Sequence, residues 1–124
     1  MKHETASLSG KLLDLAVAIS QGYGIEVDDE FVWLTVCGTS VVRADHRPYS
    51  SDWEYAGPLI EEELITVRPT RTLLWRAERE WSEAPDICTG NTLLEAAMRC
   101  YVRANYGDEV ELPDGIENTV ERGD

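Results

Sequence analysis

Residues 92–105 of the chain, TLLEAAMRCYVRAN, carry the pattern that decides the fold. Their apolar side chains recur at the spacing of one helical face, namely Leu94, Ala97, Tyr101 and Ala104. Thr92 and Glu95 have the spacing of a capping box, which satisfies free amide groups where a helix begins. Glu95 and Arg99 are spaced as an i, i+4 ion pair, which we place on the solvent side. The pattern predicts a C-terminal helix over 92–105.

A second helix is predicted near the N-terminus, over about 9–21. Its apolar residues again fall on one helical face, namely Leu12, Leu15, Ala16 and Ile19. Ser9 is a suitable N-cap residue, and Gly22 can end the helix in a left-handed conformation.

Between these helices lie four segments rich in residues that favour β-strands. They are 31–36, 41–44, 65–68 and 72–78. The residues between the segments of each pair favour turns, so we expect two hairpins, and we interpret 81–90 as an irregular loop. The elements predict an α+β fold. Its antiparallel sheet has about four strands, on which pack two main helices, N-terminal and C-terminal, and a short central helix.

The central segment, residues 49–60, contains a glycine and a proline in sequence. Proline is accepted in the first turn of a helix but not in its interior. We therefore predict a short helical turn over 52–56, a bend at Gly57, and a second short helix over 58–64.

Aromatic side chains in this segment and in the later loop are candidates for binding another protein, because rigid aromatics are effective anchors in interfaces. The candidate protein-binding residues are Tyr49, Trp53, Tyr55 and Trp81, together with the acidic Asp52. Two hypotheses apply to Trp53: it fills the core beside Trp75, or it is an exposed anchor. We favour the core position and expect Tyr55 to be the more exposed of the two neighbours.

Acidic residues dominate the composition. The formal net charge is −13, and residues 107–124 contain seven acidic side chains and one basic side chain. This charge repels nucleic-acid phosphates and anionic membranes, so we expect neither as a partner. We expect residues 1–113 to form a single α+β domain and residues 114–124 to form an acidic, disordered tail. The sequence has no apolar run of transmembrane length and no recognisable signal peptide, which indicates a cytoplasmic protein.

Residues suited to catalysis or metal binding do not occur in convincing groups. His46, flanked by Asp45 and Arg47, is interpreted as a solvated loop residue. The acidic runs at 28–30 and 61–63 lack the spacing of metal ligands. We therefore predict no catalytic residues, no metal and no cofactor.

Basic residues are concentrated in one stretch, 68–79. Within it, Arg76 and Arg79 could bind an anionic ligand. They could equally neutralise nearby carboxylates, and we favour this second interpretation. The carboxylates in question belong to Glu78, Glu80 and Glu83.

Several stretches carry a family resemblance in consistent order. They are Leu8–Gly10 (LSG) followed by Leu12–Ala18 (LLDLAVA), Tyr49–Trp53 (YSSDW) with Gly57–Ile60 (GPLI), Trp75–Ala77 (WRA), Gly90–Arg99 (GNTLLEAAMR), and Gly107–Val110 (GDEV) with Pro113. In these stretches the chain resembles the NinX-like family of bacteriophage and prophage proteins, a family of unknown function. The region 23–45 and the residues after Pro113 lie outside the resemblance. The resemblance implies a phage or prophage origin and expression inside a bacterial cell, and it implies no activity.

These observations predict a phage- or prophage-derived accessory protein in the cytoplasm of a bacterial host. We expect it to be a non-enzymatic module that binds an unknown host or phage protein, as a monomer or a small homo-oligomer. One alternative is an acidic inhibitor that imitates nucleic acid, which the net charge alone supports. A second alternative is an enzyme of unknown type.

Overall fold

Eight strands and three α-helices follow one another in the residues that the computed structural model describes, which are 1–79, 86–113 and 116. The helices are α1 (Gly10–Ser20), α2 (Trp53–Glu62) and α3 (Leu93–Tyr106). The strands are β1 (Lys2–Glu4), β2 (Gly24–Val27), β3 (Val32–Val36), β4 (Thr39–Arg43), β5 (Thr66–Pro69), β6 (Trp75–Arg79), β7 (Asp86–Gly90) and β8 (Glu109–Glu111). The predicted α+β class is confirmed.

Helix α3 is the element against which most of the fold packs, and it confirms the predicted C-terminal helix. The Thr92 hydroxyl accepts a hydrogen bond from the Glu95 amide at 3.0 Å, so the predicted cap is formed. Its buried side chains are Leu94, Ala96, Ala97, Met98, Cys100, Tyr101 and Val102. Several of them are small, which lets neighbouring elements approach the helix closely.

Arg99 does not lie on the solvent side of α3, as the sequence analysis expected. Its side chain is 13% exposed, and its Nη2 lies 3.3 Å from Glu95 Oε1. Nε donates to the Leu8 carbonyl at 2.7 Å, and Nη1 donates to the Thr89 carbonyl at 2.8 Å. Arg99 therefore joins the segment before α1, strand β7 and helix α3.

Strands β5, β6 and β7 form an antiparallel sheet in that order, and one face of the sheet packs on α3. Ala77 of β6 and Cys88 of β7 are direct partners, and both are buried on that face. At the end of β7 a Cβ atom on Gly90 would lie 2.6 Å from the Ala96 nitrogen, so the strand touches the helix backbone. The interpretation of 81–90 as an irregular loop is wrong for 86–90, and 80–85 lie outside the described residues.

Strands β2, β3 and β4 form a second antiparallel sheet. The β3–β4 hairpin confirms the prediction, and its turn residues Cys37 and Gly38 have φ angles of 52° and 80°. Positive φ at both positions is typical of a two-residue type I′ turn. Strand β2 was not predicted, because its sequence is short and it pairs only with β3 in this sheet.

A third pairing joins the two ends of the described domain: β1 runs antiparallel to β8, with His3 opposite Val110. The prediction of one sheet of about four strands is therefore wrong. Each predicted hairpin recruits its own third strand, β2 in one case and β7 in the other, and the described strands form three separate sheets. The partner strands come from loops that lack strong β-forming sequence, so local propensity did not reveal them.

Helix α2 runs without a break through Gly57 and Pro58, so the predicted bend and second helix are wrong. Asp52 is the N-cap residue, and its Oδ1 accepts a hydrogen bond from the Glu54 amide at 2.9 Å. Pro58 removes one amide donor from the helix, which the cap and the burial of Leu59 against the core compensate. Helix α1 confirms the predicted N-terminal helix, although the Ser9 side chain makes no capping hydrogen bond.

The predicted tail, 114–124, lies outside the described residues except for Ile116. This side chain is 1% exposed and belongs to the hydrophobic core, beyond the predicted domain limit at residue 113. In the described part of the chain, no helix is long and apolar enough to cross a membrane.

Candidate functional site

A pocket of about 280 Å³ opens where the start of α1 meets the loop that follows β4. Its walls also include the residues that lead into β3. The lining consists of Gly10, Lys11, Asp14, Leu15, Glu30, Phe31, Val32, Arg43, Ala44, Asp45, Pro48, Ser50 and Ser51. Most of these walls are apolar, with a few polar groups among them, a combination that is typical of ligand-binding clefts.

Asp14, on α1, joins two walls of the pocket. Its Oδ1 accepts a hydrogen bond from the Ser50 amide at 2.7 Å. Burial raises the pKa of this carboxyl, while the hydrogen bonds from Ser50 and the charge of Lys11 oppose the rise. The helix and the loop are therefore held together by a carboxylate that is partly withdrawn from water.

Arg43, at the end of β4, forms another wall. Its guanidinium carbon lies 3.7 Å from the centre of the Phe31 ring, within the range of a cation–π contact. One of its terminal nitrogens lies 2.5 Å from Asp45 Oδ2. Arg43 Nε is buried and has no hydrogen-bond partner in the described part of the chain. Among the described residues this nitrogen is therefore a donor that no acceptor satisfies.

The turn before β3 is fixed by Asp28. Its carboxylate accepts the amides of Glu30 and Phe31 at 2.8 and 2.7 Å, and the Trp33 indole nitrogen at 2.8 Å. These three hydrogen bonds, first that from Phe31, hold the pKa of Asp28 below its usual value. The three acidic residues 28–30 are exposed, and the turn that they form positions Phe31 at the pocket.

The aromatic candidates at 49–55 have different environments. Tyr49 is 3% exposed, and its hydroxyl donates to Gln21 Oε1 at 2.5 Å. Burial raises its pKa to about 12. Tyr55 is half-buried, with its ring 6.0 Å from that of Tyr49 in an edge-to-face arrangement. Tyr49 therefore supports the loop from inside and is not available to a partner.

Trp53 is 57% exposed, so the expectation that it fills the core beside Trp75 is wrong, as is the expectation that Tyr55 is more exposed. Because Asp52 is the cap, Trp53 is the first residue of α2. The helix buries the face of Ala56 and Leu59, and Trp53 is left on its flank. Asp52 is half-buried and serves the helix as its cap.

The model of the family described as "Bacteriophage P22, NinX" matches residues 4–105 of the chain. The chain belongs to the phage NinX family. A search of curated proteins found no match. Membership of the NinX family supports a phage-derived protein, and it confirms the resemblance found in the sequence.

Two of the stretches that carry the NinX resemblance meet at the pocket. Gly10, Asp14 and Leu15 come from the first stretch, and Ser50 and Ser51 come from the second. Sequence reasoning did not identify these residues as a site, because Asp14 and Ser50 are 36 residues apart. The family resemblance was the available signal for the pocket. Its two stretches contain Asp14, Ser50 and Ser51, polar residues that a helix or a loop does not need for its own formation.

The candidate anion-binding residues of this NinX-family protein do not form one site. Arg76 and Arg79 are three residues apart on β6, so their side chains leave opposite faces of the sheet. Arg79 lies 3.0 Å from Glu63 Oε2 and 3.7 Å from Asp86 Oδ2. Arg76 lies 3.8 Å from Glu78 Oε1. The ion pair with Glu78 was expected, whereas Glu63 and Asp86 were not.

The remaining candidate, Trp81, lies outside the described residues, as do Glu80 and Glu83. His46 lies in a short helical turn after β4, with its side chain 60% exposed and Nε2 3.7 Å from Asp45 Oδ1. It is the solvated loop residue that the sequence indicated.

Proposed function

We propose that this NinX-family protein is a non-enzymatic accessory protein that binds a host or phage protein in the bacterial cytoplasm. Its contact surface comprises Trp53 and the pocket between α1 and the loop after β4. The observation that carries the proposal is the exposure of Trp53, 57%, at the capped first turn of a helix.

Trp53 is held in place although it is exposed. A Cβ atom on Gly57 would lie 3.7 Å from Trp53 Cε3, so the indole lies over the glycine one turn further along α2. The Asp52 cap fixes the start of the helix on which the indole stands. A large aromatic side chain that is already ordered loses little conformational entropy on binding, which favours its use as an interface anchor.

The pocket is close to Trp53 in the sequence. Ser50 and Ser51 line the pocket, and Trp53 follows Ser51 by two residues. Its mainly apolar walls suit a partner's side chain. The Arg43 guanidinium, which lies in the pocket wall, suits a carbonyl or another acceptor on the partner. Large aromatic anchors and pockets that receive a partner's side chain are both typical of hot spots in protein interfaces.

The chemistry of the described residues favours binding over catalysis. Asp14 is engaged by the Ser50 amide, and His46 has no neighbouring nucleophile in a hydrogen bond. Burial raises the pKa of Cys88, and that of Cys100 to about 12, so both sulfurs remain thiols at neutral pH. These features support a module without turnover.

The test is capture of partners from a phage-infected host lysate, with the wild-type chain and Trp53→Ala as baits. We expect the variant to lose the partner and to change the free energy of unfolding by less than about 1 kcal/mol, because an exposed side chain is removed. A loss of about 3–5 kcal/mol would instead be the cost of removing a core residue and would contradict the proposal.

Leu73→Ala is the matched control, because Leu73 is 93% exposed and lies in the β5–β6 turn. It should capture the partner as well as the wild type does. A photo-crosslinking residue at position 53 should label the partner, and one at position 73 should not. Equal labelling from both positions would show that the Trp53 surface is not the contact.

The capture experiment and an activity screen test the two alternatives. Recovery of a nucleic-acid enzyme, inhibited by the chain, would favour the acidic mimic of nucleic acid. Turnover in a broad hydrolase screen, abolished by Asp14→Asn, would favour an enzyme that uses the pocket.

A further inference from the structure

The face of the β5-β6-β7 sheet that points away from α3 carries a row of three hydrogen-bond donors. Arg68 on β5 lies directly opposite Arg76 on β6, and Arg76 lies directly opposite Thr89 on β7. Direct partners share a face of the sheet, and neighbouring strands are about 4.8 Å apart. Two guanidinium groups and a hydroxyl therefore stand in line across the three strands.

The side chains of this row are exposed or half-buried, and most of their donors are unused in the described part of the chain. Arg68 and Thr89 are exposed, and the side chain of Arg76 is 35% exposed. The side chains of Arg68 and Thr89 make no ion pair or hydrogen bond with the described part of the chain. Arg76 Nε is buried and also lacks a hydrogen-bond partner among the described residues. The nearest carboxylate, that of Glu78, is 3.8 Å from Arg76, which is longer than a hydrogen bond.

Placing Arg68 opposite Arg76 is unfavourable in the isolated protein. Like charges on directly opposed residues destabilise a strand pair. The chain carries 24 acidic residues, yet no carboxylate is opposite either arginine. An anion that bridges the two guanidinium groups would remove this repulsion and would satisfy the unused donors.

We propose that Arg68, Arg76 and Thr89 bind a phosphate group. Phosphate carries close to two negative charges at neutral pH and has three acceptor oxygens, which matches two cations and one hydroxyl. A carboxylate carries one charge and two oxygens, so it matches the row less well. The site replaces the predicted pair of Arg76 and Arg79, and it is independent of the Trp53 surface.

The test is a titration with inorganic phosphate at constant ionic strength, observed through the arginine Nε–Hε signals in NMR spectra. The Arg76 signal should shift and saturate. Arg68→Gln should weaken binding about tenfold or more, which corresponds to the loss of one charge-assisted hydrogen bond. Arg71→Gln is the matched control, because it removes the same charge from the exposed hairpin turn outside the row, and it should bind phosphate as the wild type does.

A further variant, Glu78→Gln, frees Arg76 from its only described ion pair and should strengthen phosphate binding. Phosphoserine and glycerol 3-phosphate distinguish the source of the phosphate, a modified protein or a lipid headgroup. Saturable binding of either ester at the row supports the proposal and identifies the source. Equal binding by Arg68→Gln and Arg71→Gln, or the absence of a saturable shift with all three probes, would overturn it.

Discussion

The two three-stranded sheets of this protein are packed in different ways. Sheet β5-β6-β7 lies against α3 through small residues, and at Gly90 the backbones of strand and helix are in contact. Sheet β2-β3-β4 leaves a pocket of about 280 Å³ next to α1, and it exposes Val27, Val36 and Val41. At Gly90 the closely packed sheet leaves no space even for a methyl group between the described strand and the helix. Sheet β2-β3-β4 contributes to the pocket, and the loop that follows β4 also lines it and leads to the exposed Trp53.

The two regions also differ in how their charged groups are used. On the helix side of β5-β6-β7, Arg79 is paired with Glu63 and Asp86, and Arg99 is bonded to two carbonyls. At the pocket, Arg43 retains a buried donor without a partner in the described residues. Charged groups on the helix side of the first sheet hold elements together, whereas the pocket keeps a polar group that no described residue satisfies.

The sharpest test of close packing is Gly90→Ala, for which we expect the largest effect. The new Cβ would lie 2.6 Å from the Ala96 nitrogen, and neither backbone can move without displacing α3 or β7. The free energy of unfolding should fall by about 2–3 kcal/mol, measured by urea denaturation. Gly38→Ala is the control, because a Cβ there meets nothing within 4 Å and costs about 1 kcal/mol for its positive φ alone. Equal losses in the two variants would contradict the packing difference.

Arg99→Gln should have the next largest effect, a loss of about 2 kcal/mol. The variant leaves the carbonyls of Leu8, in a half-buried position, and of Thr89, in an exposed one, without their charged donor. Arg71→Gln removes an exposed arginine and should change stability by less than about 0.5 kcal/mol. Thermal unfolding followed by circular dichroism compares the two, and indistinguishable melting temperatures would show that Arg99 holds nothing together.

The two helix caps provide a smaller test. Thr92 accepts a hydrogen bond from the Glu95 amide, so Thr92→Ala should destabilise the protein by about 1 kcal/mol. Ser9 stands at the N-cap of α1 without a side-chain hydrogen bond, so Ser9→Ala should cost less than about 0.5 kcal/mol. If Ser9→Ala proved as costly as Thr92→Ala, the start of α1 would be capped in solution in a way that the structure does not show.

The smallest expected effect concerns the pH dependence of stability at the pocket. The pKa of Asp14 is raised above 3.8 by burial, so the folded chain holds this proton more tightly than the unfolded chain. The stability that this raised pKa contributes is therefore fully present below pH 3.8, the ordinary pKa, and is lost as the pH rises through the raised pKa. Relative to Asp14→Asn, the wild type should lose stability as the pH rises from the ordinary aspartate pKa of about 4 through the raised pKa. Parallel curves of unfolding free energy against pH would show that Asp14 is as solvated in the folded state as in the unfolded chain.

Prediction succeeded where neighbouring residues in the sequence supply the physical cause. Helices α1 and α3 follow from apolar spacing, and Thr92 caps α3 as its sequence indicates. The two hairpins follow from β-forming segments joined by turn residues. The resemblance to the NinX family was identified correctly, because it depends on sequence order alone, although the family match covers residues 4–105 and therefore includes 23–45 and not Gly107–Pro113.

Other features were decided by contacts between distant parts of the chain. Strands β2 and β7 have weak β-forming sequences and exist because β3 and β6 offer them edges to pair with. The pocket requires Asp14 to meet Ser50, and Arg99 requires Leu8 to come within hydrogen-bond distance across 91 positions. The exposure of Trp53 depends on which face of α2 the core accepts. Local propensity and spacing thus determine the class of each strong element. Its partners, and the surface that remains free to bind, are determined only when the elements pack together.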